Sequence, residues 1–226
     1  MVAKISSDSH INRLRIAALF HDIGKADYKN RLTQNKVFHN QGDGSVNFLE
    51  SCGFRGHEYE KELIRSHHKR VQSDQTLRLA DILSSMNRLE GGNTNRFIPY
   101  FPQISTKIAG NLSFYFNLGI SSWIGIDAAY TRIRCNPWLD IIPADLNCSL
   151  ESQSLRIHLL QTHFYVILLW NNPQLESKLI DKLKDTPIME QDASQIYKEL
   201  KPFGLEERII APLNRKVAWK MVEELK

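Results

Sequence analysis

The run Ala17-Ala18-Leu19-Phe20-His21-Asp22-Ile23-Gly24-Lys25 sets an imidazole and a carboxylate side by side at the end of an apolar stretch. Ile11, Leu14, Ala17, Ala18 and Leu19 fall at helical spacing, which predicts a helix over 11–26 with Ser9 as its N-cap. His21 and Asp22 are thereby carried towards an interior, and buried polar groups need partners. A divalent metal satisfies both at once. Imidazole nitrogen with carboxylate oxygen suits Mn, Fe, Co, Ni or Zn. Lys25 lies three residues after Asp22 and shares its face, where it could hold a phosphate oxygen beside the metal. Gly24 lets another segment approach closely.

More candidate ligands follow. Six of the eight histidines fall before residue 69. His39 precedes Gly42 and a short helix. His67-His68 end a helix expected over 57–69; about 100° apart, one faces the metal and the other substrate or solvent. Asp81 stands between Leu79-Ala80 and Ile82-Leu83, where a lone carboxylate is costly unless paired or metal-bound. Lys69-Arg70, directly after the histidine pair, are well placed to steer a phosphate backbone. His57, after Gly56 at a helix start, reads as structural. Cys52 precedes Gly53 at a helix end, and nothing marks it as an activated thiol.

These residues need elements to carry them. Short helices are expected at 44–52, stopped by Gly53, at 57–69, and at 75–89, closed by Gly91-Gly92. Residues 91–96 read as a loop. Leu112, Phe114, Phe116, Leu118 and Ile120 alternate, which predicts a strand. Trp123 to Ile133 could pair with it as a hairpin or form a helix. Pro137 and Pro143 bracket an irregular stretch. A buried helix is expected over 152–170, surface helices over 174–185 and 191–201, and a helix over 206–225 interrupted near Pro212. The fold class is mainly α, a helical bundle with a small β element around 112–134. The organisation is a core at 1–95 with the ligand motifs, an insertion or linker at 96–150, and a helical segment at 151–226 that packs back on the core.

Composition bounds the reading. The 226 residues are 42% hydrophobic and 24% charged, an ordinary globular balance that excludes a disordered or collagen-like chain. No apolar run approaches the roughly 18 residues needed to span a bilayer, so no membrane partner is expected. A net charge of +4 permits a nucleic-acid partner without demanding one. Three cysteines lack CxxC spacing and read as reduced thiols, and the N-terminus lacks a signal-peptide pattern. The expected location is the cytoplasm.

The order His21-Asp22-Ile23-Gly24-Lys25, His39, His67-His68, Asp81 resembles the HD superfamily of metal-dependent phosphohydrolases over roughly residues 11–90. That resemblance implies an HD-domain helical bundle. It implies that His21, Asp22 and Asp81 hold one ion, while His39, His67 and His68 bind a second or position substrate, with Asp22 bridging. Activated water then attacks phosphorus, and Lys25 helps stabilise the developing charge. One ligand departs from the pattern, because HD proteins supply a first histidine from a full helix upstream. Here only twenty residues precede His21. His10 sits on the same helix, and eleven residues of helix span about 16 Å. The alternative is circular permutation, with the missing helix at 152–170 and His158 or His163 as the ligand.

A permuted HD arrangement resembles the N-terminal nuclease domain of the large subunit in type III CRISPR effector complexes, and the related type I-D subunit. Leu79-Ala80-Asp81-Ile82-Leu83-Ser84-Ser85, with Asn87-Arg88, is similar to that family's Ala-Asp-x-x-Ser segment and nearby Arg. Ile142-Pro143, Asp145 and Ser149-Leu150 are faintly similar to the segment before its returning helix, but the expected Asp-His does not follow. No Gly-Gly-Asp-Asp sequence occurs, so an isolated HD domain, a split subunit or a relative with another role is implied. The resemblance implies single-stranded DNA or another nucleic acid as partner, other subunits of a CRISPR ribonucleoprotein complex, and Arg88 with Lys69 and Arg70 as nucleic-acid contacts. Two other functions compete: a small-molecule HD phosphohydrolase acting on nucleotides or cyclic nucleotides, and a non-catalytic HD subunit of an assembly.

Overall fold

Helix α1 (Ser7–Phe20) opens the computed structural model, which describes residues 7–26, 41–54, 57–68, 74–86, 125–142, 144 and 153–183. The helix starts earlier than expected. Ser9 therefore lies inside the first turns, not at the N-cap, and its hydroxyl is buried without a hydrogen-bond partner. The α-helix also stops sooner. After Phe20 the chain turns at His21-Asp22 and tightens into a 3₁₀ turn, Ile23–Ala26. Leu14 and every residue from Ala17 to Ala26 are buried.

Glycine makes the tightening possible. A Cβ on Gly24 would meet Gly44 C and Ser45 N at 2.5 Å, so the 3₁₀ turn lies directly on the backbone of α2 (Gln41–Ser51). The Gly24 N–H donates to Ser45 Oγ at 3.1 Å across this contact. At the other side of α2, a Cβ on Gly42 would fall 2.3 Å from Ile64 O, on α3 (Glu58–Ser66). Gly53, at φ 89°, ends α2 as its position suggests. The Phe54 N–H donates to Leu49 O and the Gly53 N–H to Glu50 O, both at 3.0 Å, which closes the last turn.

Helix α4 (Gln75–Met86) is capped by Asp74, whose carboxylate accepts from the Leu77 N–H at 3.1 Å. The region 112–134, where a small β element is expected, is described only from residue 125. Its described part, Ile126–Arg134, is helix α5, with Ala129 and Ile133 buried and Ile126 and Tyr130 packed against the core. Spacing of three and four decides for helix where composition left a hairpin open. No strand occurs among the described residues; the alternating stretch 112–120 lies outside them, as do the loop at 91–96 and the helices expected at 191–201 and 206–225. A 3₁₀ turn, Pro137–Asp140, follows α5.

Helix α6 (Leu155–Asn171) is the centre of the bundle. Ser154 caps it by accepting from the Ile157 N–H at 3.3 Å. Two backbone hydrogen bonds, Ala144 N–H to Gln153 O at 3.0 Å and Leu155 N–H to Ile142 O at 2.7 Å, fix where α6 begins. It packs most extensively on α4 and α1, and also touches α5 and α7 (Pro173–Leu183). Leu155, Leu159, Val166 and Leu169 are fully buried in one core with Leu14, Leu19, Ile64, Leu77 and Leu83. No helix among the described residues is long and apolar enough to cross a membrane.

Gly24→Ala tests the close approach. The added methyl group meets backbone, not a movable side chain, so unfolding free energy should fall by roughly 1–3 kcal/mol. Chemical denaturation measures this; unchanged stability would mean that the 3₁₀ turn and α2 are further apart than described.

Candidate metal centre

The end of α1, the middle of α4 and the first turns of α6 meet at one buried point. His21 and Asp22 arrive from the turn after α1, Asp81 from α4 and His158 from α6, and all four are buried. His158 Nε2 lies 3.1 Å from His21 Nε2, 3.1 Å from Asp22 Oδ2 and 3.3 Å from Asp81 Oδ1. His21 Nε2 lies 3.3 Å from Asp81 Oδ1 and 3.5 Å from Asp22 Oδ2. Ligand atoms sharing one ion at about 2.0–2.2 Å stand about 2.8–3.6 Å apart, depending on coordination geometry. The four atoms are thus spaced as ligands of a common centre.

Two further observations fit an ion. The Nδ1 atoms of His21 and His67 sit on backbone carbonyls, Ala18 O at 2.8 Å and Ile64 O. A carbonyl only accepts, so each Nδ1 carries the proton, and in the neutral ring Nε2 presents a lone pair. Asp22 Oδ1 and His67 Nε2 are also buried with no hydrogen-bond partner, 3.8 Å from each other. Orphaned buried acceptors facing each other are costly unless a cation lies between them. His21, Asp22, Asp81 and His158 form one group that could hold a metal ion, and Asp22, His67 and His68 form a second. Asp22 belongs to both, with Oδ2 towards His158 and Oδ1 towards His67.

The charges agree. Burial opposes ionisation of Asp22, but Lys25, His21 and His158 outweigh it and hold the carboxyl well below the usual range. Asp81 is buried too, and the His158 and His21 hydrogen bonds keep it ionised. Burial also opposes a proton on His21, yet Asp22 and Asp81 raise its pKa. His67 goes the other way: burial, with His68 and His21 nearby, lowers it to about 3. Lys25, on the 3₁₀ turn, ion-pairs with Asp22 Oδ2 and is itself buried. Two carboxylates face one ammonium, so the cluster has room for further positive charge.

The expected residues separate as follows. His21, Asp22, Lys25, His67, Asp81 and His158 converge, and His68 joins at the edge, partly exposed, with Nδ1 3.7 Å from Asp81 Oδ2. Neither His10 nor His163 reaches the cluster. His10 sits in the first turn of α1, where its ring nitrogens face Tyr59 Oη at 3.1 Å and Asp74 Oδ2 at 3.8 Å. His163 is turned away from His158 on α6 and accepts from Arg15 Nε at 3.1 Å; burial, with Arg15 beside it, lowers its pKa to about 3. His57 is exposed at the start of α3, near Glu60. His39, Lys69, Arg70 and Arg88 lie outside the described residues. Ser84 was legible only as part of a resembling segment, although a hydroxyl three residues after Asp81 on an apolar helix shares the carboxylate's face.

The family model described as HD domain matches residues 2–90. This supports membership of the HD superfamily, whose members are generally metal-dependent phosphohydrolases. The matched stretch contains His21, Asp22, His67, His68 and Asp81, whereas His158 lies beyond it. No curated protein and no solved structure matches the chain.

His158→Ala should weaken binding of Zn²⁺ or Mn²⁺ by more than the roughly 10- to 100-fold that loss of a ligand's outer partner costs. His163→Ala should leave affinity unchanged. Isothermal titration of both variants checks this, and equal effects would remove His158 from the centre.

Proposed function

We propose that this chain is a divalent-metal-dependent phosphodiesterase that cuts nucleic acid, single-stranded DNA foremost, as the HD nuclease of a CRISPR-type defence complex in the cytoplasm. The general part of this reading, a metal-dependent phosphohydrolase, is supported by the HD-domain match and the His/Asp cluster. The specific part rests on one observation, the chain order of the clustered residues. The fourth member, His158, comes from a helix after the final Asp81 and not from one ahead of His21. That order supports the permuted HD arrangement which the Ala80-Asp81-Ile82-Leu83-Ser84 segment also resembles.

In this reading His21, Asp22, Asp81 and His158 would hold one ion, and Asp22, His67 and His68 a second. A divalent ion bound there supplies Lewis acidity and lowers the pKa of water towards neutrality. The chain's own groups do the rest. Asp22 offers an oxygen to each half of the centre. Lys25 brings a fixed positive charge beside it, placed to transfer from Asp22 to a phosphoryl oxygen as charge develops. His68, the most exposed of the group, is the one placed to meet substrate. Lys69 and Arg70 follow it directly in sequence and, with Arg88, would track the phosphate backbone.

The test is incubation of the purified protein with Mn²⁺ or Ni²⁺ and single-stranded DNA, single-stranded RNA or a nucleotide panel. Metal-dependent cutting of single-stranded DNA is expected, lost on chelation. Asp22→Ala should lower it by at least on the order of 10²-fold. Hydrolysis of nucleotides alone would replace the nuclease with a small-molecule enzyme. Metal binding without hydrolysis of anything would leave an assembly subunit. Affinity for single-stranded DNA should also fall steeply with salt as backbone contacts release counterions; salt-insensitive binding would contradict a phosphate-tracking groove.

A further inference from the structure

We propose that Ser84 is a positioning residue of the metal centre, whose hydroxyl holds His158 in the single tautomer and ring orientation that turns Nε2 towards the ion. This inference rests on reading the cluster as a metal centre. Ser84 is fully buried near the end of α4. Its Oγ stands 2.7 Å from His158 Nδ1 and donates to the His158 carbonyl at 3.1 Å. A hydroxyl has one proton. Given to the carbonyl, it leaves Ser84 able only to accept from the ring, so Nδ1 carries the hydrogen. In the neutral ring Nε2 is then a bare lone pair, beside Asp22 Oδ2 and Asp81 Oδ1.

The same conclusion follows from the helix. Asp81 and Ser84 are one turn apart on one face of α4, and the His158 imidazole spans them, one nitrogen on each. Rotation of the ring would break both contacts. His21 and His67 find their Nδ1 acceptors three residues back, in the helices that they directly follow. His158 instead takes its acceptor from a helix 74 residues earlier in the chain. Gln153 supports the pair, donating to the Ser84 carbonyl at 3.0 Å and to Gln161 Oε1 at 2.6 Å, which ties the end of α4 to the start of α6. Thr162 Oγ1 also donates to the His158 carbonyl, at 2.9 Å.

Imidazole nitrogen NMR of the ¹⁵N-labelled wild-type protein, with and without Zn²⁺, tests this directly. The zinc-loaded protein should show His158 protonated at Nδ1, with slow solvent exchange, and metallated at Nε2. Ser84→Ala should weaken zinc affinity roughly 10- to 100-fold and speed exchange of that proton, while the His21 Nδ1 proton keeps its protection. Ligation of wild-type His158 through Nδ1, or a proton on Nε2 in the loaded protein, overturns the proposal. So does a folded Ser84→Ala protein with wild-type affinity and exchange. Should Ser84→Ala fail to fold, the wild-type spectrum decides alone. Wild-type protein that binds no Zn²⁺ or Mn²⁺ removes the metal reading and this inference together, whereas zinc binding indifferent to Ser84 removes only the inference.

Discussion

Two carboxylates buried against imidazole lone pairs are the constraint on which this structure turns. Asp22 and Asp81 are almost inaccessible to solvent, and His21, His67 and His158 are fully so. Removing such charges from water costs several kcal/mol each unless they are paired. Lys25 answers part of the demand, and a proton held on His21 by Asp22 and Asp81 can answer more. Neither satisfies Asp22 Oδ1 or His67 Nε2, which point at each other without a donor between them. A divalent ion does what a proton cannot, since it offers several acceptors one centre at once. Proton and ion would compete for the same lone pairs, so binding of a metal here would be coupled to release of protons.

The fold serves that cluster by bringing helix ends to it. The α-helix stops at Phe20, so the turn at His21-Asp22 and the 3₁₀ segment point their side chains inward instead of spreading them around a helix. Gly24 and Gly42 let the backbones of the 3₁₀ turn, α2 and α3 touch, and α3 ends where His67 and His68 begin. Asp81 needs no such device, because α4 is apolar around it and packs extensively on α6. Packing and chemistry are one arrangement: the core residues Leu77, Leu83, Leu155 and Leu159 lie on the same helices as Asp81 and His158.

Much of this was legible from residue types. His21-Asp22 after an apolar run, and Asp81 inside one, announce buried polar groups that need a partner, and both sit in the cluster. Gly53 as a helix stop and Gly24 as a close approach follow from the lack of a Cβ. The break of α1 was not legible, because spacing alone does not distinguish an α-helix from its tightening into 3₁₀. Trp123 to Ile133 was ambiguous for a related reason: apolar residues in a short run fit either period, and the neighbouring helices decide. The choice between His158 and His163 needed the rotation of α6 about its axis, which its nearly uniform apolar surface conceals. Ser84 was hidden because its role depends on a partner 74 residues away.

That separation has an energetic logic. Closing the chain between Ser84 and His158 costs conformational entropy, but the cost grows only logarithmically, about 0.6 kcal/mol for each doubling of length. An intervening segment can therefore be long without undoing the site, provided α6 returns to the same groove. The return is fixed locally by the two backbone hydrogen bonds around Ala144 and Leu155, by the Ser154 cap, and by Arg156, which donates to Asp140 Oδ2 at 2.7 Å. It is fixed at a distance by the leucines of α6 against α1 and α4. Residues 2–90 carry all but one of the clustered ligand candidates, yet without α6 the apolar faces of α1 and α4 lose their main partner and His21 loses the imidazole opposite it. The part that completes the core is thus the part that completes the site, so a fragment ending near residue 90 would lack both together.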